Sequence, residues 1–173
     1  MRSPSLTDID AIRRRGFRPV VVACFLCAGK LLFVFKKEHE LWLLPQGGVE
    51  NGETIETALA REMMEELGSA FANRADIPVF IGEDALTFPT KNQGSRDLKT
   101  DAGTAVHMIG KHYFFLGITV HRTELTLADT EFQDARWVTR LEGKNMAETI
   151  YQVGRRRITE HALELLQQAN LIS

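Results

Sequence analysis

The residues best suited by type and spacing to do chemistry are Glu62, Glu65 and Glu66, which follow Arg61 in the run REMMEELG. No Gly or Pro falls between Ile55 and Leu67, and Ala, Leu, Met and Glu dominate there, so the run is predicted to form the second half of a helix. Asn51-Gly52 signals a turn before it, Thr54 is a candidate N-cap, and Gly68 supplies the stop. At about 100° per residue, Ile55, Ala58, Leu59 and Met63 share one side of this helix. Glu62 and Glu66 fall inside the same apolar arc, and Glu65 lies at its edge beside Arg61. An ordinary surface helix turns its carboxylates the other way.

Two carboxylates about 6 Å apart at an effective dielectric of about 20 repel by roughly 3 kcal/mol, and three mutual pairs by up to about 8. A whole domain is stable by only about 5–15 kcal/mol. The cluster must therefore protonate, stay well hydrated or hold a cation. Carboxylates with no Cys or His nearby favour a hard ion, Mg²⁺ or Mn²⁺. The plainer alternative is a solvated acidic helix, against which the apolar neighbours and the preceding glycine turn both argue.

With the residues that precede them, Gly47, five residues, Glu53, seven residues and then Arg61-Glu62-Met63-x-Glu65-Glu66-x-Gly68 resemble the signature of the Nudix hydrolases. Every charged and glycine position of that pattern is matched. Ser69 departs from it, standing where an aliphatic residue is usual, which should affect packing at the helix end and no chemistry. The resemblance implies a Nudix α/β/α sandwich with a mixed β-sheet, and metal-assisted hydrolysis of a phosphoanhydride. It implies that Glu62, Glu65 and Glu66 are metal ligands and that Glu62 also activates water. Arg61 would orient these carboxylates, Glu53 would brace the loop against the helix, and a peptide carbonyl near Gln46 or Gly47 would complete the metal site. Gly47 and Gly48 let the backbone approach the metal and phosphates closely.

Further segments are similar to one branch, the bacterial RNA 5′-pyrophosphohydrolases and dinucleoside polyphosphate hydrolases. Trp42-x-x-Pro45-Gln46-Gly47-Gly48 resembles their WxxPQGG, and Gly16-Phe17-Arg18-Pro19 their G-Y-R-P. Lys36 matches a basic position before that segment. Thr130-Glu131-Phe132 and Arg136-Trp137-Val138 resemble T-P-E-F and W-R-W-V, a resemblance that implies an additional metal-binding or base role for Glu131. Arg18 and Lys36, at a strand start and a strand end, suit phosphate contacts. The branch carries Phe-Lys-Arg before its last helix; here Val153-Gly154-Arg155 stands there without an aromatic, and Tyr151 lies two residues earlier. A lost stacking ring is worth about 1–3 kcal/mol of base recognition. The implied substrates are nucleotide polyphosphates, either 5′-triphosphorylated RNA or diadenosine polyphosphates. The alternatives are a nucleotide-sugar or oxidised-nucleotide pyrophosphatase, or a non-catalytic nucleotide-binding Nudix domain.

Length and composition agree with a single domain. The chain has 173 residues, 44% hydrophobic and 25% charged, enough for a sizeable core. We expect residues 1–15 to be an N-terminal arm and residues 16–173 the Nudix domain. A net charge of −2 argues against a protein that coats nucleic acid nonspecifically, so no duplex DNA partner is expected. No apolar run reaches the roughly 20 residues of a bilayer span, and the start MRSPSLTDID lacks a signal-peptide core. The default address is cytoplasmic. Cys24 and Cys27 sit in one apolar strand, three residues apart, so their thiols should face opposite sides as core groups rather than form a metal or redox pair.

The remaining elements must hold this loop and helix in place. Strands are predicted at Val20–Cys27, Leu31–Phe35, Leu41–Leu44, Ile77–Ile81, Ala85–Phe88, His112–Val120 and Arg136–Val138. Residues 1–12 read as a frayed arm or short helix, and Arg13-Arg14-Arg15 as a solvated run without a role. Pro89–Met108 shows no period and reads as a lid, a substrate loop or an insertion. Glu148–Arg157 reads as helical or irregular, and Ile158–Ala169 as a closing helix. The run Arg155-Arg156-Arg157 faces either a polyphosphate or solvent.

Overall fold

A computed structural model of the chain describes residues 2–127 and 130–173; Met1, at the start of the expected arm, lies outside them. In chain order the elements are α1 (Leu6–Arg14), β1 (Phe17–Cys27), β2 (Lys30–Lys36), β3 (Leu41–Leu43), β4 (Gln46–Gly48), α2 (Ile55–Leu67) and α3 (Ser69–Ala72). There follow β5 (Val79–Thr87), β6 (Asp97–Lys99), β7 (Ala105–His107), β8 (Gly110–Thr119), β9 (Asp134–Val138), α4 (Arg140–Glu148) and α5 (Val153–Gln168).

Seven strands make one mixed sheet in the order β3-β2-β1-β8-β5, with β4 beside β1 and β9 beside β2. β1 and β8 run parallel down the centre, and the flanking ladders are antiparallel. Both central strands are apolar on consecutive positions because both sheet faces are covered. Val21, Ala23 and Phe25 pack with Ile55, Ala58 and Leu59 of α2 on one face. Val20, Val22 and Cys24 pack with Ile158, Ala162 and Leu166 of α5 on the other. This is the α/β/α sandwich. The two thiols diverge as strand alternation requires: Cys24 joins the α5 side and Cys27 packs against the α2 side. Burial alone pushes the Cys24 thiol up to about 12, leaving it inert.

Helix α2 starts and stops where its sequence signals lie. The Thr54 side chain accepts from the Thr57 N–H, and Gly68 takes a φ of 82°. Ser69 is exposed and leaves packing to Phe71, which meets Phe25 edge-on at 5.1 Å between ring centroids.

Elsewhere the structure departs from the sequence reading. The two strands expected around Ile77–Phe88 are one, β5, with an irregularity between Phe80 and Gly82. Pro89–Met108 is not structureless, since β6 and β7 pair within it as a hairpin. Helix α5 begins at Val153, five residues before the expected Ile158, and α4 fills a stretch where no helix was expected. Residues 6–14 form a helix whose Ser5 and Asp8 make a capping box and whose Ile9 and Ile12 enter the core. Among the described residues, no helix is long and apolar enough to cross a membrane.

Candidate active site

The site is built around β4, whose three residues pair with Val20–Val22 of β1. Successive strand residues face opposite sides, and the two glycines use that rule. A Cβ on Gly47 would overlap the Glu62 carboxyl group on the α2 face. A Cβ on Gly48 would come within 2.5 Å of Arg18 Nη2 on the other. Each glycine thus clears the path of one charged side chain. Gln46 and Gly47 also line a small cavity with Glu62 and Glu66.

Arg61 ties the loop to the helix. Its Nε and Nη2 donate to the two carboxylate oxygens of Glu53 at 2.8 and 2.9 Å, Nη2 donates to the Gly48 carbonyl at 2.8 Å, and Nη1 to Glu62 at 2.8 Å. The fork geometry uses what only an arginine offers. Hydrogen bonding to Glu53 foremost raises the Arg61 pKa, and the same bond holds the Glu53 carboxyl below its ordinary range. Glu53 also accepts from the Glu50 N–H at 2.9 Å, closing the turn.

The carboxylates divide into two groups. Glu65 is 61% exposed and reaches Arg61 only at 3.5 Å. Glu66 and Glu131 share a hydrogen bond, and Lys36 Nζ donates to Glu131 at 2.7 Å. Burial first, then Glu131 and the charge of Glu62, push the Glu66 carboxyl up to about 9. Burial works to raise Glu131 as well, but hydrogen bonds from Lys36 and Glu66 outweigh it and hold Glu131 low. Burial and these neighbours favour the protonated form of Glu66, and Arg61 offsets the charge of Glu62.

Arg13, read from the sequence as solvated, is buried instead. Its Nη2 donates to the carbonyls of Val49 and Glu50 at 3.0 and 2.7 Å, and its Nη1 to Asp101 at 3.1 Å. Asp101 also accepts from Asn51 at 2.7 Å, and its own N–H donates to Asp10 at 2.7 Å. Helix α1 and the β6–β7 hairpin therefore clamp the loop that follows the glycines.

A row of cations lies beyond β4. Arg18, Lys36, Lys111 and Arg155 line a cavity of about 220 Å³ together with His39, Gly47, Gly48 and Glu131. Arg18 and Lys36 were expected there. Lys111 was missed because the strand was predicted to begin one residue later. Of the arginine run in α5, Arg155 faces this cavity, while Arg156 donates to the carbonyls of Ile150 and Glu148 and Arg157 to that of Ala85. Tyr151 is 66% exposed, with its hydroxyl 3.5 Å from the His39 carbonyl at the rim.

The NUDIX domain profile matches residues 17–160. The chain belongs to the Nudix family. This Nudix chain is similar to the RNA pyrophosphohydrolase of Actinobacillus pleuropneumoniae serotype 5b (strain L20), 31% identical over 130 residues that cover 71% of the chain and 60% of that protein. Nudix hydrolase 25 of Arabidopsis thaliana is 40% identical over 72 residues, 40% of this chain and 41% of the relative. The matches thus span three fifths or less of these relatives' length. In fold it is similar to the E. coli dihydroneopterin triphosphate pyrophosphohydrolase, with a TM-score of 0.59 at 15% identity over 85% of this chain and 97% of that one. It is similar likewise to a C. elegans Ap4A hydrolase, with a TM-score of 0.53 at 14% identity over 84% and 97% of the two chains.

Nudix hydrolases generally use divalent metals, and the donor set of this chain fits one. Its acidic groups are carboxylates, hard oxygen donors, and glycine backbone lies beside Glu62 and Glu66. Among the described residues no three such side chains yet converge on one point. A pH dependence follows. Glu66 binds its proton more tightly folded than unfolded, so its stabilising contribution is complete below about pH 4.5 and is lost as the pH rises towards about 9. Glu131 acts in the opposite sense, but only as the pH falls below its ordinary range. Metal-free protein should therefore show a falling melting temperature between about pH 5 and 9, with a smaller slope in Glu66→Gln. Added Mg²⁺ should raise the melting temperature most at the alkaline end, because binding displaces the proton. A slope unchanged by Glu66→Gln would contradict the assignment.

Proposed function

We propose that the chain is a divalent-cation-dependent pyrophosphohydrolase of nucleoside polyphosphates, with 5′-triphosphorylated RNA or diadenosine polyphosphates as its substrate. The observation that carries this reading is a glycine strand between two neighbouring cavities: Glu62 and Glu66 line one, Arg18, Lys36, Lys111, Arg155 and Glu131 line the other, and Gln46 and Gly47 line both. The similarity to RNA pyrophosphohydrolases over 130 residues supports the choice of substrate.

Bound Mg²⁺ or Mn²⁺ would neutralise phosphate charge and make water a better nucleophile. Glu62, Glu65, Glu66 and Glu131 would hold the ion, together with the backbone at Gln46. Arg61 would keep Glu62 aimed, braced by Glu53. The proton released when water attacks phosphorus has two acceptors in the cluster, the carboxylates of Glu62 and Glu131. Arg18 and Lys36 would bind phosphate oxygens, and Gly47 and Gly48 would let the phosphate chain lie against the backbone. A cytoplasmic address would suit such substrates.

Hydrolysis of triphosphorylated RNA, diadenosine tetraphosphate and ADP-ribose in Mg²⁺ tests this directly, comparing the wild-type chain with Glu65→Gln. At least one of the first two substrates should turn over, and the variant should be slower by at least about 10-fold. Equal turnover in the two proteins would remove Glu65 from the metal site. Preference for ADP-ribose would move the assignment to nucleotide sugars, and tight nucleotide binding without turnover would make this a binding domain.

A further inference from the structure

Among the described residues, no side-chain hydrogen bond or ion pair engages the Lys111 ammonium. β1 and β8 run parallel with Arg18 and Lys111 as Cα partners, so two cations start side by side on neighbouring strands, about 4.8 Å apart. Both lie on the α5 face, in line with Val20 and Tyr113, and Arg155 enters the same cavity from the first turn of α5. Among the described residues, no ion pair includes Arg18, Lys111 or Arg155. A cation in the first turn of a helix also opposes the helix dipole. Burial first, then the charges of Arg18, Arg155, Arg96 and Lys36, depress the Lys111 pKa to about 8. Burial and Arg96 lower Arg18 in the same way. Glu131 also lines the cavity, but its ion pair is with Lys36, so Arg18, Lys111 and Arg155 are crowded cations suited to an anion.

We propose that Lys111, with Arg18 and Arg155, clamps a phosphate beyond the bond that is cut, and so selects substrates with at least three consecutive phosphates. The proposal rests on the pyrophosphohydrolase reading above. Glu62 and Glu66 stand on the α2 face of β4, the clamp stands on its α5 face, and the cavities on the two sides share Gln46 and Gly47. A phosphate chain lying across that glycine strand would reach the clamp. A pyrophosphate flanked by two sugars has no further phosphate to offer, and its uncharged sugar would face three cations.

Binding of inorganic tripolyphosphate and pyrophosphate to the full chain, measured calorimetrically in the presence of EDTA, tests the clamp without turnover. Wild type should bind tripolyphosphate more tightly than pyrophosphate. Lys111→Gln should weaken tripolyphosphate binding by about 10- to 100-fold, and Lys111→Arg should retain it. Removing an unpaired cation should leave the melting temperature of Lys111→Gln equal or higher, so a folding defect would itself count against the proposal. On a triphosphorylated substrate, Lys111→Gln should raise KM and leave kcat within about threefold. Equal binding of the two anions by wild type, or unchanged tripolyphosphate binding by Lys111→Gln, would overturn the clamp. Loss of tripolyphosphate binding in Lys111→Gln, with no turnover of any nucleotide by wild type, would uphold the clamp and sink the hydrolase.

Discussion

Gly47→Ala should lower kcat by at least about 100-fold while leaving the protein folded. The added methyl falls where the Glu62 carboxyl group now sits, so Glu62 must swing away. The obstacle is a strand carbon fixed by pairing with Val21, so the side chain rather than the backbone yields. Displacing a reacting group by about 1 Å costs on the order of 100-fold in rate. The strand conformation accepts alanine, and the melting temperature should move by no more than a few degrees. Gly48→Ala is the informative control. Its methyl meets Arg18 instead, so it should raise KM more than it lowers kcat. Similar kinetics in the two variants would show that the glycines do not serve separate faces.

Arg61→Ala should combine the largest loss of stability with a loss of turnover. It strands the Glu53 carboxylate, the Gly48 carbonyl and Glu62 together. Breaking a fully buried ion pair costs about 3–5 kcal/mol. The Arg61 side chain remains 24% exposed, which reduces the expected cost to about 2–3 kcal/mol. For a domain of this size that is a fall in melting temperature of roughly 5–10 °C. Arg61→Lys should recover part of the stability, since an ammonium pairs with Glu53 but lacks the fork that also reaches Gly48 and Glu62. Turnover should drop at least about 10-fold in both. Scanning calorimetry and steady-state kinetics check the two effects separately, and an unchanged melting temperature in Arg61→Ala would refute the brace.

What could be read from the sequence was the local part of the molecule. Helix α2 has its cap, its apolar face and its stop in adjacent residues, so its limits and its inward carboxylates were visible before the structure. The opposed thiols of Cys24 and Cys27 followed from strand alternation alone. What escaped was whatever depends on contacts distant in sequence. Arg13 looked solvated because Asp101, its ionic partner, lies 88 residues away. Lys111 becomes part of the site only through the parallel β1–β8 ladder, which no local pattern announces. Helix α4 buries little beyond Gly143 and Ala147, so it lacks the apolar stripe that marks a helix. Its capping box, Thr139 with Glu142, was the available signal. The β6–β7 hairpin has three-residue strands that pair only with each other, too short for an alternating pattern to stand out.

The proposed function requires Glu62, Glu66 and Glu131 to take up a divalent cation between them. Titrating the full chain with Mn²⁺ at neutral pH, with free ion followed by electron paramagnetic resonance, tests this most directly. Wild type should bind Mn²⁺ and release protons as it does so, and Glu66→Gln should bind at least about 10-fold more weakly. Equal Mn²⁺ affinity in the two proteins would contradict the account.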